Sequence, residues 1–142
     1  MDLPKDYKIE FKNPTPIEYN SIRNTTGWDK LDLRTIEKGL ENSLFSVCLY
    51  HREKLVGIGR IIGDNSIYFY IQDIIVVPKF QGKGLGKLIM EKVMQYIDNN
   101  ANNNSFIGLM ASEGVETFYN KLGFETRLAS RPGMYMINRK VK

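Results

Sequence analysis

The stretch Val76-Val77-Pro78-Lys79-Phe80-Gln81-Gly82-Lys83-Gly84-Leu85-Gly86-Lys87-Leu88-Ile89-Met90-Glu91-Lys92-Val93 decides the fold. It passes from a β-branched run, through glycines at every second position, into a helical pattern. Upstream, Ile67 to Val77 is long, apolar and β-prone, and reads as a strand. Downstream, Leu85, Leu88, Ile89, Val93, Tyr96 and Ile97 share one helical face, and the asparagine run 99–104 stops that helix. Phe106 to Ala111 then reads as another strand. A strand, helix, strand order of this kind makes a crossover that places the two strands parallel if they share a sheet. Ligands of such units gather at the carboxyl ends of the parallel strands, where the glycines lie.

Working outward, Tyr7, Ile9 and Phe11 alternate with charged residues and read as a short strand. Thr15-Pro16-Ile17-Glu18 joins an N-cap, a proline at the first helical position and a glutamate three residues on, so a helix runs to about Asn24. After the break at Thr25-Thr26-Gly27-Trp28, Leu33, Ile36 and Leu40 mark a second helix that ends near Glu41-Asn42. Leu44 to Tyr50 and Leu55 to Ile62 form an antiparallel meander with the long strand. Val115 to Leu122 predicts a last helix closed by Gly123, and Phe124 to Leu128 and Met134 to Asn138 predict two final strands around Arg131-Pro132-Gly133. The expected fold is therefore one α/β domain over residues 1–142: a mostly antiparallel mixed sheet with a parallel β-α-β crossover and helices on its faces.

Composition narrows the function classes. The 42% hydrophobic content supplies one core, and the net charge of +4 suits a phosphate-bearing ligand without requiring one. Positive residues are spread along the chain with no aromatic platform, which argues against nucleic acid as a partner. No stretch approaches the roughly 18 apolar residues of a membrane span, and the first residues carry no apolar leader, so a cytoplasmic protein away from the membrane is expected. The single cysteine, Cys48, sits in an apolar run and reads as core packing. His51 with Glu53 lacks the further ligands that a metal site needs, so no metal is expected.

The glycine stretch is not a Walker A loop, because Lys87 is followed by Leu88 rather than a magnesium-binding hydroxyl. The dinucleotide fingerprint fails as well: Gly82-x-Gly84 meets Lys87, and Gly84-x-Gly86 meets Ile89. What remains is Gln81-x-x-Gly84-x-Gly86 opening a helix, a stretch of bare backbone amides suited to an anion, with Lys83 and Lys87 at its rim. A ligand-free glycine turn is the alternative.

This pattern resembles the GCN5-related N-acetyltransferase superfamily, whose signature is Arg or Gln, two spacers, Gly, a spacer, then Gly or Ala. A second signature, Phe118-Tyr119-Asn120-Lys121-Leu122-Gly123-Phe124, follows in that family's order. The resemblance implies an acetyl-CoA co-substrate, with the backbone of Ile75, Val76 and Val77 pairing with the pantetheine arm and Gln81, Gly82, Lys83, Gly84, Leu85, Gly86 and Lys87 cradling the pyrophosphate. Ser112 stands where relatives often carry a cofactor-binding asparagine. The implied activity is transfer of an acetyl group to a primary amine, of a small molecule in the first reading, by direct transfer in a ternary complex. A non-catalytic acetyl-CoA sensor and a protein lysine or N-terminal acetyltransferase are the alternatives.

That chemistry assigns candidate roles. An alkyl amine with a pKa of about 10.4 must lose a proton before attack, and Asp73 is the candidate base with Gln72 positioning water. Strand alternation sets Asp73 on the opposite face from Gln72 and Ile74, and the competing reading is an aspartate bonded structurally at a bulge. Tyr119 is the candidate acid for the departing thiolate, as in the resembled family. Trp28 and Tyr135 are candidate walls of the acceptor pocket, or core. Sheet edges at either terminus offer a route to a homodimer.

Overall fold

Glycine at two positions of one strand sets how closely the largest helix can approach the sheet. A computed structural model describes residues 3–139. In it, β3 (Lys54–Gly63) carries Gly57 and Gly59, and a Cβ at these positions would come within 2.8 Å and 2.7 Å of Ile89 in helix α3 (Leu85–Asn100). Helix α3 can therefore lay Leu85, Leu88, Ile89, Met90, Val93 and Ile97 against the sheet. Burial of this apolar face supplies most of the helix's stability.

The sheet has five strands in the order β1 (Tyr7–Glu10), β2 (Phe45–His51), β3, β4 (Tyr68–Val76) and β5 (Phe106–Gly108). The first four are antiparallel neighbours, and β4 and β5 are parallel, with Tyr68 opposite Phe106. The crossover expected from the sequence is thus present, with α3 as its helix. The β2–β3 hairpin turns on Arg52 and Glu53, both at positive φ, the backbone of a two-residue primed turn. The β3–β4 turn is held by Asp64, whose carboxylate accepts the N–H groups of Tyr68, Ser66 and Ile67. Those three donors keep its pKa below the ordinary carboxylate value.

The other face of the sheet is covered by α1 (Pro16–Asn24) and α2 (Leu33–Glu41). Helix α1 starts at the predicted capping box: Glu18 N–H donates to Thr15 Oγ1 at 3.1 Å, and Thr15 N–H donates to Glu18 Oε1 at 2.9 Å. Asp32 caps α2 through Thr35 N–H at 2.9 Å. Tyr19, Ile22, Ile36 and Leu40 of these helices pack on Cys48, Tyr50, Leu55, Ile58 and Ile75 of the sheet. Cys48 is core, as its apolar neighbourhood implied.

The chain's contacts divide it into two compact units, one ending at Leu109 and one beginning at Met110. The second unit contains α4 (Glu116–Asn120), closed by Gly123 at φ +98°, with Phe124 N–H donating to Tyr119 O. Three expectations change. Helix α3 takes in Asn99 and Asn100, because tertiary packing of its apolar face outweighs the weak helix propensity of asparagine. Strand β5 stops at Gly108 rather than Ala111. Residues 124–128 and 134–138 form no strand: Met134, Tyr135 and Met136 are largely exposed, and β propensity alone provides no partner for a strand's backbone groups.

Candidate functional site

Strand β4 ends at Val76, and Val77 N–H is still held by Val56 O at 2.9 Å. A single 3-10 turn, Pro78–Phe80, then lifts the chain off the sheet, and Gln81 N–H closes it on Pro78 O. The Gln81 side chain reaches back to donate to Val76 O at 2.9 Å, tying the start of the loop to the strand end. Gly82 and Gly84 follow at φ +78° and +80°, a backbone that favours glycine, and Gly84 is the N-cap of α3. Glycine here leaves α3 without a side-chain cap.

The consequence is a row of bare donors. Among the described residues, no acceptor takes the backbone N–H of Gly82, Lys83, Gly84, Leu85, Gly86 or Lys87; the first helical bond from this region is Leu88 N–H to Gly84 O. The last three belong to a helix N-terminus, with its partial positive charge. Lys83 and Lys87 are exposed and form no salt bridge among the described residues, and Lys83 Nζ sits 5.5 Å from the Phe80 ring centroid. An anion is what this arrangement can hold.

Next to the loop, β4 carries a bulge. Arg60 pairs with Gln72 and Ile58 with Ile75, so Asp73 and Ile74 together face the single residue Gly59. Asp73 itself sits at φ +59°. The alternation expected from the sequence breaks here: Gln72 pairs with Arg60, and Asp73 reaches Arg60 too, while Ile74 lies on the α3 face near Gly59. A non-glycine residue in this region costs about 1–3 kcal/mol and persists only where its surroundings hold it.

Those surroundings are specific. Asp73 is 2% exposed, and its Oδ2 accepts from Arg60 Nη1 at 2.8 Å and from the Tyr19 hydroxyl at 2.7 Å. Arg60 also donates to Ser43 Oγ at 3.0 Å and to Gly39 O at 3.1 Å, and its guanidinium stacks 5.9 Å from the Tyr19 ring. Tyr19 accepts from Arg23, which also donates to Asp29 O and lies 5.3 Å from the Trp28 ring. Burial, with the charge of Asp73 beside it, pushes the Tyr19 hydroxyl up to about 12, so it stays a donor. The other oxygen, Asp73 Oδ1, is buried with no hydrogen-bond partner among the described residues.

The sequence reading singled out Asp73 but missed Arg60, Tyr19 and Arg23. One signal was available: Arg60 is the only charge within Leu55-Val56-Gly57-Ile58-Gly59-Arg60-Ile61-Ile62, and a buried charge needs a partner. Trp28 is half-buried against the α1–α2 side of the core. Of the remaining predicted residues, Ile75, Val76 and Val77 stand at the strand end beside the loop, and Ser112, Tyr119 and Tyr135 belong to the second unit. Tyr119 is partly buried between Phe118 and Phe124, at ring-centroid distances of 5.1 and 6.1 Å. Burial raises its pKa above the ordinary phenol value. Ser112 and Tyr135 are exposed.

Residues 24–132 match the family model for the acetyltransferase (GNAT) domain. The chain belongs to the GNAT acetyltransferase family. It is accordingly an acyltransferase, and GNAT enzymes generally use acetyl-CoA as the acyl donor. Its likeness to the crystal structure of a Staphylococcus aureus protein named as a probable acetyltransferase has a TM-score of 0.88 at 36% identity, covering 93% of this chain and 99% of that one. It is 34% identical over 129 residues to the uncharacterized N-acetyltransferase ycf52 of Pyropia yezoensis, covering 82% of this chain and 73% of that protein. It is 28% identical over 129 residues to the histone acetyltransferase TAP1 of Glycine max, covering 83% of this chain and 55% of that protein.

The GNAT donor fits the residues present. Among the described residues, the amides from Gly82 to Lys87 are unpaired and a Cβ at Gly82 would meet nothing within 4 Å, so the loop and its two exposed lysines suit the diphosphate. Among the described residues, no group of three or more His, Cys, Asp or Glu could hold a metal ion, and no helix is long and apolar enough to cross a membrane.

Proposed function

We propose that this GNAT protein transfers the acetyl group of acetyl-CoA to the primary amine of a small molecule by direct attack in a ternary complex, without a covalent acetyl-enzyme. The observation that carries the reading is the run of six backbone N–H groups from Gly82 to Lys87 that find no acceptor among the described residues, with the side chains of Lys83 and Lys87 exposed beside them. These donors would hold the diphosphate. The end of β4, from Ile75 to Val77, would present its backbone to the pantetheine arm. Bound there, the coenzyme supplies the activated thioester.

On this reading the acceptor amine loses its proton to water, with half-buried Gln72 beside the bulge as the group that orders it. Asp73 is not assigned as the base: one of its oxygens already accepts from a guanidinium and a phenol, and the whole side chain is buried. Tyr119 is assigned the proton for the departing thiolate on the strength of its motif, and its raised pKa keeps that proton available at neutral pH. Cys48 is not a nucleophile, because burial pushes its thiol up to about 12.

The test is thiol release from acetyl-CoA across a panel of amines, alongside calorimetry with acetyl-CoA. Turnover on a small amine, lowered about 100-fold in Tyr119→Phe with little change in donor KM, supports the reading. Binding without turnover on any amine supports the sensor alternative. A second reading, transfer to a lysine or N-terminal amine of a protein, draws on the name of the Glycine max relative. Turnover confined to peptides in the same panel would favour it. A cytoplasmic location and a homodimer formed through sheet edges complete the proposal; fractionation and light scattering test them.

A further inference from the structure

We propose that Arg60 is a positioning residue for acyl transfer: acting through Asp73, it locks the β4 bulge and so sets the backbone that follows it. The inference rests on the reading above, in which Ile75 to Val77 receive the acyl donor.

The bulge fixes which face each following residue presents. Beyond it, Ile75 pairs with Ile58 and Val76 with Gly57; were the same residues to run as a regular strand with no bulge, every side chain from Asp73 onward would move to the other face. The extra residue stays in place only if Asp73 keeps its left-handed backbone. Two donors enforce this by converging on the one atom Oδ2, Arg60 from the neighbouring strand and Tyr19 from α1.

Arg60 is itself immobile. Its other two nitrogens donate to Ser43 Oγ and Gly39 O, so the guanidinium is fixed to the C-terminal part of α2 and the segment after it. Tyr19 is held by Arg23, which braces the Asp29 carbonyl and the Trp28 ring in the α1–α2 connection. One carboxylate therefore ties the donor-facing end of β4 to the loop that carries Trp28. Aspartate suits both requirements, since it tolerates positive φ better than most residues and carries the charge that Arg60 needs.

Glycine gives the test, because it holds a positive φ without help. Full-length Arg60→Met, Arg60→Lys and the double variant Arg60→Met with Asp73→Gly are compared with wild type well below their melting temperatures. The readouts are acetyl-CoA affinity by calorimetry and amide hydrogen exchange over residues 74–77. Arg60→Met is expected to weaken acetyl-CoA binding at least tenfold and to speed exchange at 74–77. Arg60→Lys, which keeps the charge but not the fork, should fall between it and wild type. The double variant should return to within about threefold of wild-type affinity, with exchange slowed again.

Unchanged affinity in folded Arg60→Met, or a double variant no tighter than the single, overturns the proposal. Should Arg60→Met fail to fold, unchanged affinity and exchange in Arg60→Lys, or a double variant more than about threefold weaker than wild type, overturns it. Wild-type protein that gives no heat with acetyl-CoA refutes the reading of the loop and the inference with it, and is told apart by needing no variant.

Discussion

Alanine at Gly84 and alanine at Gly86 are two residues apart and chemically identical changes, yet they should behave oppositely. Gly84 is at φ +80°, so a Cβ there raises the backbone energy by about 1–2 kcal/mol. For a chain of this length that lowers Tm by about 3–8 °C. Gly86 lies inside the first turn of α3 without positive φ, and its Cβ would meet only Val76 Cγ2, at 3.9 Å. Alanine there gains about 0.5–1 kcal/mol of helix propensity, a rise of a few degrees. Calorimetry with acetyl-CoA reads the second consequence. Relaxing Gly84 out of its left-handed backbone turns the neighbouring N–H groups away from one another, so affinity should drop at least tenfold. Gly86→Ala leaves the same groups in place and should bind within a few-fold of wild type. If Gly84→Ala loses stability as expected yet binds acetyl-CoA as tightly as wild type, the bare amides do not hold the coenzyme.

Three further outcomes follow from the geometry. Gly59→Ala sets a Cβ 2.7 Å from Ile89 Cγ2 and 3.1 Å from Ile74 Cδ1, so it should cost about 1–3 kcal/mol in urea unfolding; an unchanged midpoint would mean α3 sits farther from the sheet. Lys83→Ala with Lys87→Ala should leave Tm alone, weaken acetyl-CoA roughly 3–10-fold and flatten the salt dependence of binding, since both charges are exposed. Equal salt dependence in both proteins would remove the lysines from the site. Finally, burial raises the acidic groups of Cys48, Tyr19 and Tyr50 to about 12 each. Their unfolded values are about 8.5 for the thiol and about 10 for the phenols, so the neutral forms favour the folded state. The stability they contribute is complete below about pH 8.5 and is lost as pH rises toward 12. Tm should fall across that range, with Cys48 unreactive to a thiol reagent until the protein unfolds; a flat profile or a fast-reacting thiol would contradict the buried placement.

What the chain decides locally is what its sequence spells out directly. The capping box at Thr15 and Glu18, the face of α3 and the bare amides of Gly82 to Lys87 each depend on residues within one element or one turn of each other. Spacing is enough for such features, because a cap, a helical stripe or a positive φ is a property of a few adjacent residues. Asp73 was visible as an odd carboxylate in an apolar strand, but its condition was not. Its partners lie 13 and 54 residues away, and only the antiparallel register of β3 with β4 and the packing of α1 on the sheet bring them to one oxygen. The reverse holds at the carboxyl end, where Met134 to Asn138 has the composition of a strand and forms none. Composition sets how well a segment would suit a pleated surface, whereas a strand exists only where a neighbour's backbone meets it, and that neighbour is chosen by the tertiary fold.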